Sequence, residues 1–279
     1  MDSDANPGAA MYRHRTDTLV DDRGDGPVVL CLHGSLMDRT MFAPQMEALS
    51  DHYRVVSYDL RARTDRWQGP YDLDDLVADC RAVMDTLDID SCVLVGMSMG
   101  GFVAVRFALE HPERLDGLVL IDSMAEAYTE EEREEYAGLV EGVRGADRMP
   151  LEVAEMAADL MFSERAHAEQ SDLVQHWIDR WHTYPGDAVA AEIESWRTEP
   201  GVVDELGAVN IPALAIHGED DQSIPPERAR RTVDALPQGR MELIPGAGHP
   251  SNLERPEAVN ARLREFLSEV YEVAPAADD

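Results

Sequence analysis

Between Cys92 and Glu110 the chain runs from an apolar segment, CVLV, through Gly96-Met97-Ser98-Met99-Gly100-Gly101 into FVAVRFALE. No other stretch restricts the possible folds as strongly. The β-rich run reads as a buried strand, and Gly101–Glu110 reads as the helix that leaves it. A turn this tight forces its central residue, Ser98, into strained backbone, so the positions two before and two after must be small. Both are glycine. The serine hydroxyl then stands near a helix N-terminus, where the dipole favours developing negative charge. Strand, G-x-S-x-G and helix in this order mark a nucleophile elbow.

The other apolar runs are spaced as an α/β chain requires. Val28–Leu32, Arg54–Tyr58, Leu118–Ile121, Ala213–Ile216 and Met241–Ile244 read as strands, several apolar on both faces like buried parallel strands. Leu73–Leu87, Pro226–Leu236 and Pro256–Tyr271 read as helices, the last two opening with proline in the first turn. The alternation predicts an α/β fold with a mostly parallel, twisted sheet flanked by helices.

Residues 123–200 break this rhythm. The stretch is helical in pattern, strongly acidic, and holds three of the four tryptophans, Trp177, Trp181 and Trp196. It reads as a helical cap inserted between a first core part, 1–122, and a second, 201–279. Its aromatics, with Met161 and Phe162, either glue the cap helices together or wall an apolar pocket. Residues 272–279 read as a solvated tail.

The charge balance narrows the partners. There are 56 acidic residues against 24 basic ones, a net charge of −32, and every basic residue is arginine. Such a surface repels nucleic acid and anionic membrane, and it gains from salt screening, so the composition reads as adaptation to a salty cytosol. No apolar run approaches the ~18 residues that span a bilayer, and residues 1–10 carry no secretory pattern. The three cysteines, Cys31, Cys80 and Cys92, have no metal-ligand spacing and read as buried thiols in a reducing, cytoplasmic setting.

A serine nucleophile needs oxyanion donors, a base and an acid. The Met99 amide follows the nucleophile, and the second donor should follow the first core strand, where His33-Gly34-Ser35-Leu36 stands. Gly34 permits the turn, so Ser35 N–H is the expected donor, with Leu36 as the alternative. His33 reads as structural, bonded to the loop backbone. Among nine histidines, His249 lies in Pro245-Gly246-Ala247-Gly248-His249-Pro250, a glycine-freed loop between a strand and a helix. His217 competes for the role, while His167, His176 and His182 fall in the cap. The acid lies in Gly218-Glu219-Asp220-Asp221, where position favours Asp221. Asp122, after another strand, is the second candidate.

With these motifs in view the chain resembles the α/β-hydrolase superfamily from about residue 28 to 270. The resemblance rests on HGS after the first core strand, GMSMGG at the elbow, GEDDQSIP at the acid turn and GAGHPSNLERPE at the histidine. It implies a triad of Ser98, Asp221 and His249 with the Ser35 and Met99 amides as oxyanion hole, and no metal or organic cofactor. Serine at the elbow separates the chain from the dehalogenase and epoxide hydrolase branches, which attack with aspartate. The elbow and the cap pattern are most similar to 3-oxoadipate enol-lactonases and related small-ester hydrolases. One loop departs: where such proteins carry R-G-H-G-x-S after Y-D, this chain has Arg61-Ala62-Arg63-Thr64-Asp65.

The expectation is a serine hydrolase of small carboxylic esters or lactones working through an acyl-enzyme. Its rivals are a meta-cleavage carbon–carbon hydrolase, an acyltransferase and a catalytically silent binding module.

Overall fold

The computed structural model describes residues 19–272. The N-terminal pattern and the tail read above lie outside the described residues, except for Glu272. Seven strands form one sheet in the order β1-β3-β2-β4-β5-β6-β7. They are β1 (Val20–Arg23), β2 (Val28–Leu32), β3 (Arg54–Tyr58), β4 (Cys92–Met97), β5 (Leu115–Ile121), β6 (Ala213–Gly218) and β7 (Gly239–Ile244). All neighbours pair in parallel except β1, which runs antiparallel to β3.

Every residue of β4 and β6 is buried, as strands covered by helices on both faces should be. β1 escaped the sequence reading because VDDR is polar and only Val20 is buried; it is an edge strand. The helices of the core are α1 (Ala43–Leu49), α2 (Leu73–Thr86), α3 (Met99–Glu110), α9 (Pro226–Ala235), α10 (Ser251–Glu254) and α11 (Pro256–Tyr271). α2 shows how local sequence sets a boundary. Asp72 caps the Asp75 amide, Asp75 answers on the Asp72 amide, and Leu73, Leu76, Val77, Cys80, Val83 and Met84 then line one buried face. α3 begins at Met99, two residues earlier than the Gly101 start read from the sequence.

Between β5 and β6 lie five helices: α4 (Glu130–Val143), α5 (Leu151–Met161), α6 (Glu164–Glu169), α7 (Ser171–Trp181) and α8 (Gly186–Glu194). They are tied to the core by buried polar contacts. Glu254 accepts from the Ser163 amide at 3.0 Å and from its hydroxyl at 2.5 Å, and Asp38 accepts from Tyr184 Oη at 3.0 Å and from Arg180.

The chain proceeds from β2 to β3 on one side and then crosses to β4 on the other. The carboxyl ends of β2 and β4 therefore flank the switch in strand order, where open α/β sheets form their crevice. Gly34–Leu36 leaves β2 and Ser98 leaves β4 at that point.

Candidate active site

Ser98 has φ 50 and ψ −118, a sparsely populated backbone region for a residue with a side chain. The close approach of the two arms explains the flanking glycines. A Cβ on Gly96 would sit 2.3 Å from the Gly100 carbonyl oxygen, and one on Gly100 would sit 2.2 Å from that of Leu32. The turn is secured from outside: Ser98 N donates to Ile121 O at 3.0 Å, and Ser123 Oγ donates to Ser98 O at 2.8 Å.

His249 Nε2 lies 2.9 Å from Ser98 Oγ, and His249 Nδ1 lies 2.9 Å from Asp221 Oδ2. The three side chains are brought together from the ends of β4, β6 and β7. The His249 amide donates to Met161 O at 2.8 Å, so a carbonyl of the inserted helices anchors this loop. Asp221 Oδ1 accepts from the amides of Ser223 at 2.9 Å and Ile224 at 3.0 Å. Burial disfavours the Asp221 charge, but His249 and His217 beside it hold its carboxyl well below the usual range. Burial likewise disfavours the His249 cation, and the adjacent Asp221 charge more than offsets this and raises its pKa. An imidazole so oriented can take the Ser98 proton and stabilise the resulting cation.

Asp122, the alternative acid, is wholly buried and committed elsewhere. Oδ1 accepts from Gly218 N at 2.7 Å and Oδ2 from Ser251 N at 2.9 Å, so it joins the acid loop to the segment after the histidine. Burial, with the Asp221 charge nearby, pushes its carboxyl up. His217 is not at the serine. Its Nε2 faces Ile224 O at 2.8 Å and Asp221 Oδ2 at 3.1 Å, behind the acid. Asp122, His217 and Asp221 bring possible metal-ligand atoms within 4.8 Å of one another. Their oxygens already carry backbone amides and imidazoles, which makes the cluster a hydrogen-bond network supporting Asp221.

His33 Nδ1 donates to Gly34 O at 2.8 Å and Nε2 accepts from Leu60 N at 2.9 Å, which fixes a neutral tautomer. Burial lowers its pKa to about 4. The structural role expected for it is the one observed. Cys31, Cys80 and Cys92 are buried free thiols.

Met99 N opens α3, so it has no carbonyl partner within the helix. Ser35 faces the cavity above Ser98. The fallback donor fails: Leu36 N donates to Glu192 Oε2 at 2.9 Å. Leu36 has φ 63 in a turn closed by Met37 N to Gly34 O at 3.2 Å. Holding a non-glycine there is unfavourable by about 1 kcal/mol or somewhat more. A hydrogen bond to a charged group contributes about 1.5–3 kcal/mol, so the Glu192 contact is large enough to decide the conformation. Sequence reasoning missed Glu192, which lies 156 positions from Leu36.

A cavity of about 360 Å³ opens above Ser98, His249 and Ser35. Phe102, Tyr128, Tyr136 and Trp196 form its aromatic wall, with Tyr136 and Trp196 centroids 4.7 Å apart and edge-on. Val153, Met156, Ala157, Leu160 and Met161 of α5 form an apolar side. Glu132 and Glu135 of α4 also line it, with no arginine among the lining residues. Of the aromatics weighed for the pocket, Trp196 lines it. Trp177, Trp181 and Phe162 do not; they pack on one another with centroids 6.2 and 6.3 Å apart because α7 turns its apolar face inward.

Comparison with known proteins bears on the family and the fold. A family model described as alpha/beta hydrolase fold matches residues 27–256. The AB hydrolase superfamily protein YisY of Bacillus subtilis is 28% identical over 260 residues, covering 89% of this chain and 94% of that protein. A thermophilic esterase from Thermogutta terrifontis superposes with a TM-score of 0.85 at 31% identity, covering 91% of this chain and 93% of that one. The enol-lactonase from Burkholderia xenovorans gives 0.83 at 25% identity, covering 90% and 96%. Fold and sequence thus agree, and this chain belongs to the α/β-hydrolase family of hydrolytic enzymes.

Proposed function

We propose that the chain is a serine hydrolase that cleaves compact, neutral carboxylic esters or lactones through an acyl-enzyme. The observation that carries this reading is the continuous relay from Ser98 Oγ through His249 to Asp221, with 2.9 Å at each step. His249 takes the Ser98 proton as Oγ attacks the carbonyl carbon, and Asp221 stabilises the imidazolium. The oxyanion is met by the Ser35 and Met99 amides. His249 then protonates the leaving alkoxide. A water, deprotonated by the same ring, attacks the acyl carbon, and Ser98 regains its proton as the acid departs.

The helices between β5 and β6 act as a cap that excludes water and limits the acyl group by volume. The esterase and enol-lactonase named above support the ester and lactone assignment. Two features favour neutral substrates: the cavity lining offers no arginine, and Glu135 stands on its α4 side, the Glu132 carboxylate beside it being paired with Arg228 at 2.8 Å. A carbon–carbon hydrolase of the meta-cleavage type handles a substrate bearing a carboxylate, which this lining does not invite.

The test is hydrolysis of a panel of neutral esters, lactones and meta-cleavage diketones in molar KCl, alongside fluorophosphonate labelling and peptide mapping. Ester or lactone turnover with the label on Ser98 is expected. Inertness toward all of them, or a label on another residue, overturns the reading.

A further inference from the structure

The Arg61–Asp65 loop is where this chain departs from the family pattern, and the departing residue has a partner in the inserted helices. Glu192 lies on α8 with its carboxylate wholly buried. Its Oε2 accepts from Leu36 N at 2.9 Å and from Arg63 Nη2 at 2.6 Å. Arg63 is buried as well, donates Nε to Met37 O at 2.8 Å, and lies 4.0 Å from the Tyr184 ring centroid. One carboxylate oxygen therefore joins α8, the turn after β2 and the loop after β3.

That turn has two available forms, which differ by a flip of the Ser35–Leu36 peptide. The observed one requires left-handed Leu36 and directs its N–H at Glu192. The flipped form relieves Leu36 but would turn the Ser35 carbonyl toward the carboxylate, where two acceptors repel. Burial pushes the Glu192 carboxyl up, and Arg63 and the Leu36 amide offset part of that rise and so support its charged state. The pair thus selects one peptide orientation in the turn whose leading amide is Ser35.

We propose that Glu192, braced by Arg63, is the positioning residue of the oxyanion turn, so that donor geometry at Ser35 depends on α8 being seated on the core. The inference rests on the acyl-enzyme reading above. Neither side chain is among those lining the substrate cavity, so the effect should fall on the transition state and spare ground-state binding.

The variants are Glu192→Gln, which keeps size and loses charge, and Arg63→Gln. Complete loss of an oxyanion donor lowers kcat about 10²–10³-fold, so partial misplacement should lower it about 10- to 100-fold. KM should stay within about threefold, because uniform binding is untouched. Affinity for an aryl trifluoromethyl ketone, whose hemiketal on Ser98 needs the same donors, should fall by the same factor as kcat. The double variant should be no worse than the worse single one, since the pair acts as a unit. Should Glu192→Gln fail to fold, Arg63→Gln carries the same expectations.

A lowered Tm with unchanged kcat and ketone affinity would make the pair a structural brace and sink the inference alone. So would a raised KM at constant kcat. Failure of fluorophosphonate to reach Ser98 in the wild type would instead sink the acyl-enzyme reading and this inference with it.

Discussion

Ser98 meets the His249 ring at 2.9 Å while held in backbone that side chains avoid. The strained backbone and the histidine contact thus fall on the same residue. Sparse backbone regions are unfavourable by about 1–3 kcal/mol, and the elbow maintains this one by clamping Ser98 between Ile121 O and Ser123 Oγ.

Two substitutions separate these effects. Ser98→Ala should abolish turnover and leave Tm within a degree or two, because the strained backbone remains. Ser98→Gly should also abolish turnover but raise Tm. Relief of the strain is offset by about 0.5–1 kcal/mol of extra chain entropy. A net gain near 1 kcal/mol corresponds to roughly 2–4 °C in a domain of this size. Calorimetry that finds the glycine variant less stable than the alanine variant would refute the strain argument.

Asp221 and Asp122 should fail in different ways. Asp221→Asn should lower kcat by roughly three to four orders of magnitude, since the imidazole loses its orienter. Asp122→Asn should leave kcat within about tenfold while lowering stability by about 1–3 kcal/mol, because one buried backbone N–H loses its acceptor. The reverse ranking would transfer the acid role to Asp122.

The pH profile follows from the same pair. His249 acts as base only when neutral, and Asp221 raises its pKa. Activity should therefore be lost as pH falls through a value above the ordinary histidine range. In Asp221→Asn only the more distant Asp122 charge still offsets burial, so the acid limb of residual kcat/KM should move to lower pH. An acid limb unmoved by the substitution would mean another group controls it.

Much of this site was legible in the sequence because its constraints are local. The elbow needs glycines at fixed offsets from Ser98, and a reaching histidine needs a freed loop after a strand. Buried strands such as β4 and β6 announce themselves by being apolar on both faces. What stayed open depended on contacts distant in sequence. Three consecutive acids after Gly218 look alike until the amides of Ser223 and Ile224 single out Asp221. Ser35 was preferred over Leu36 as donor only on the turn that Gly34 permits, and the contact that engages the Leu36 amide, Glu192, lies far away in sequence. The unusual Arg63 was visible, but its meaning lay 129 positions away in Glu192. β1 stayed hidden because a polar edge strand lacks the burial signal on which strand recognition depends.

Salt should stabilise the protein. Surface ion pairs contribute about 0–1 kcal/mol each, and screening weakens them. Against that, 56 acidic residues face only 24 arginines, so net repulsion from −32 is the larger quantity. At 1 M salt the Debye length is ~3 Å, which removes most of that repulsion. Tm is expected to climb from low salt to molar KCl. A flat or falling Tm would count against adaptation to salt.

The charge of the substrate should matter at the site itself. A neutral diester and its half-hydrolysed monoanion differ little in size but should differ about tenfold or more in kcat/KM, the neutral one being preferred, for want of a cation to pair with the anion. Replacing Glu135, exposed on the α4 side, by Gln should narrow that ratio. Equal rates for the two substrates would show that the carboxylates are too well solvated to discriminate.

Acyl length should be limited by the space above Ser98. The cavity of about 360 Å³ is closed on one side by Phe102, Tyr128, Tyr136 and Trp196, which pack on one another and leave little room to yield. The α5 side is softer, because Met156 and Leu160 are partly exposed and methionine adapts its shape. Short acyl groups fit between these walls, whereas long ones must emerge past α5 into water. For p-nitrophenyl esters, kcat/KM should peak at about two to six acyl carbons and drop steeply by about twelve. Met156→Ala should extend the tolerated length, and Trp196→Ala should instead admit bulkier acyl groups near the serine. A preference for long chains, or activation at an oil–water interface, would mean that α5 swings open as a lipase lid does and that the closed cavity does not set specificity.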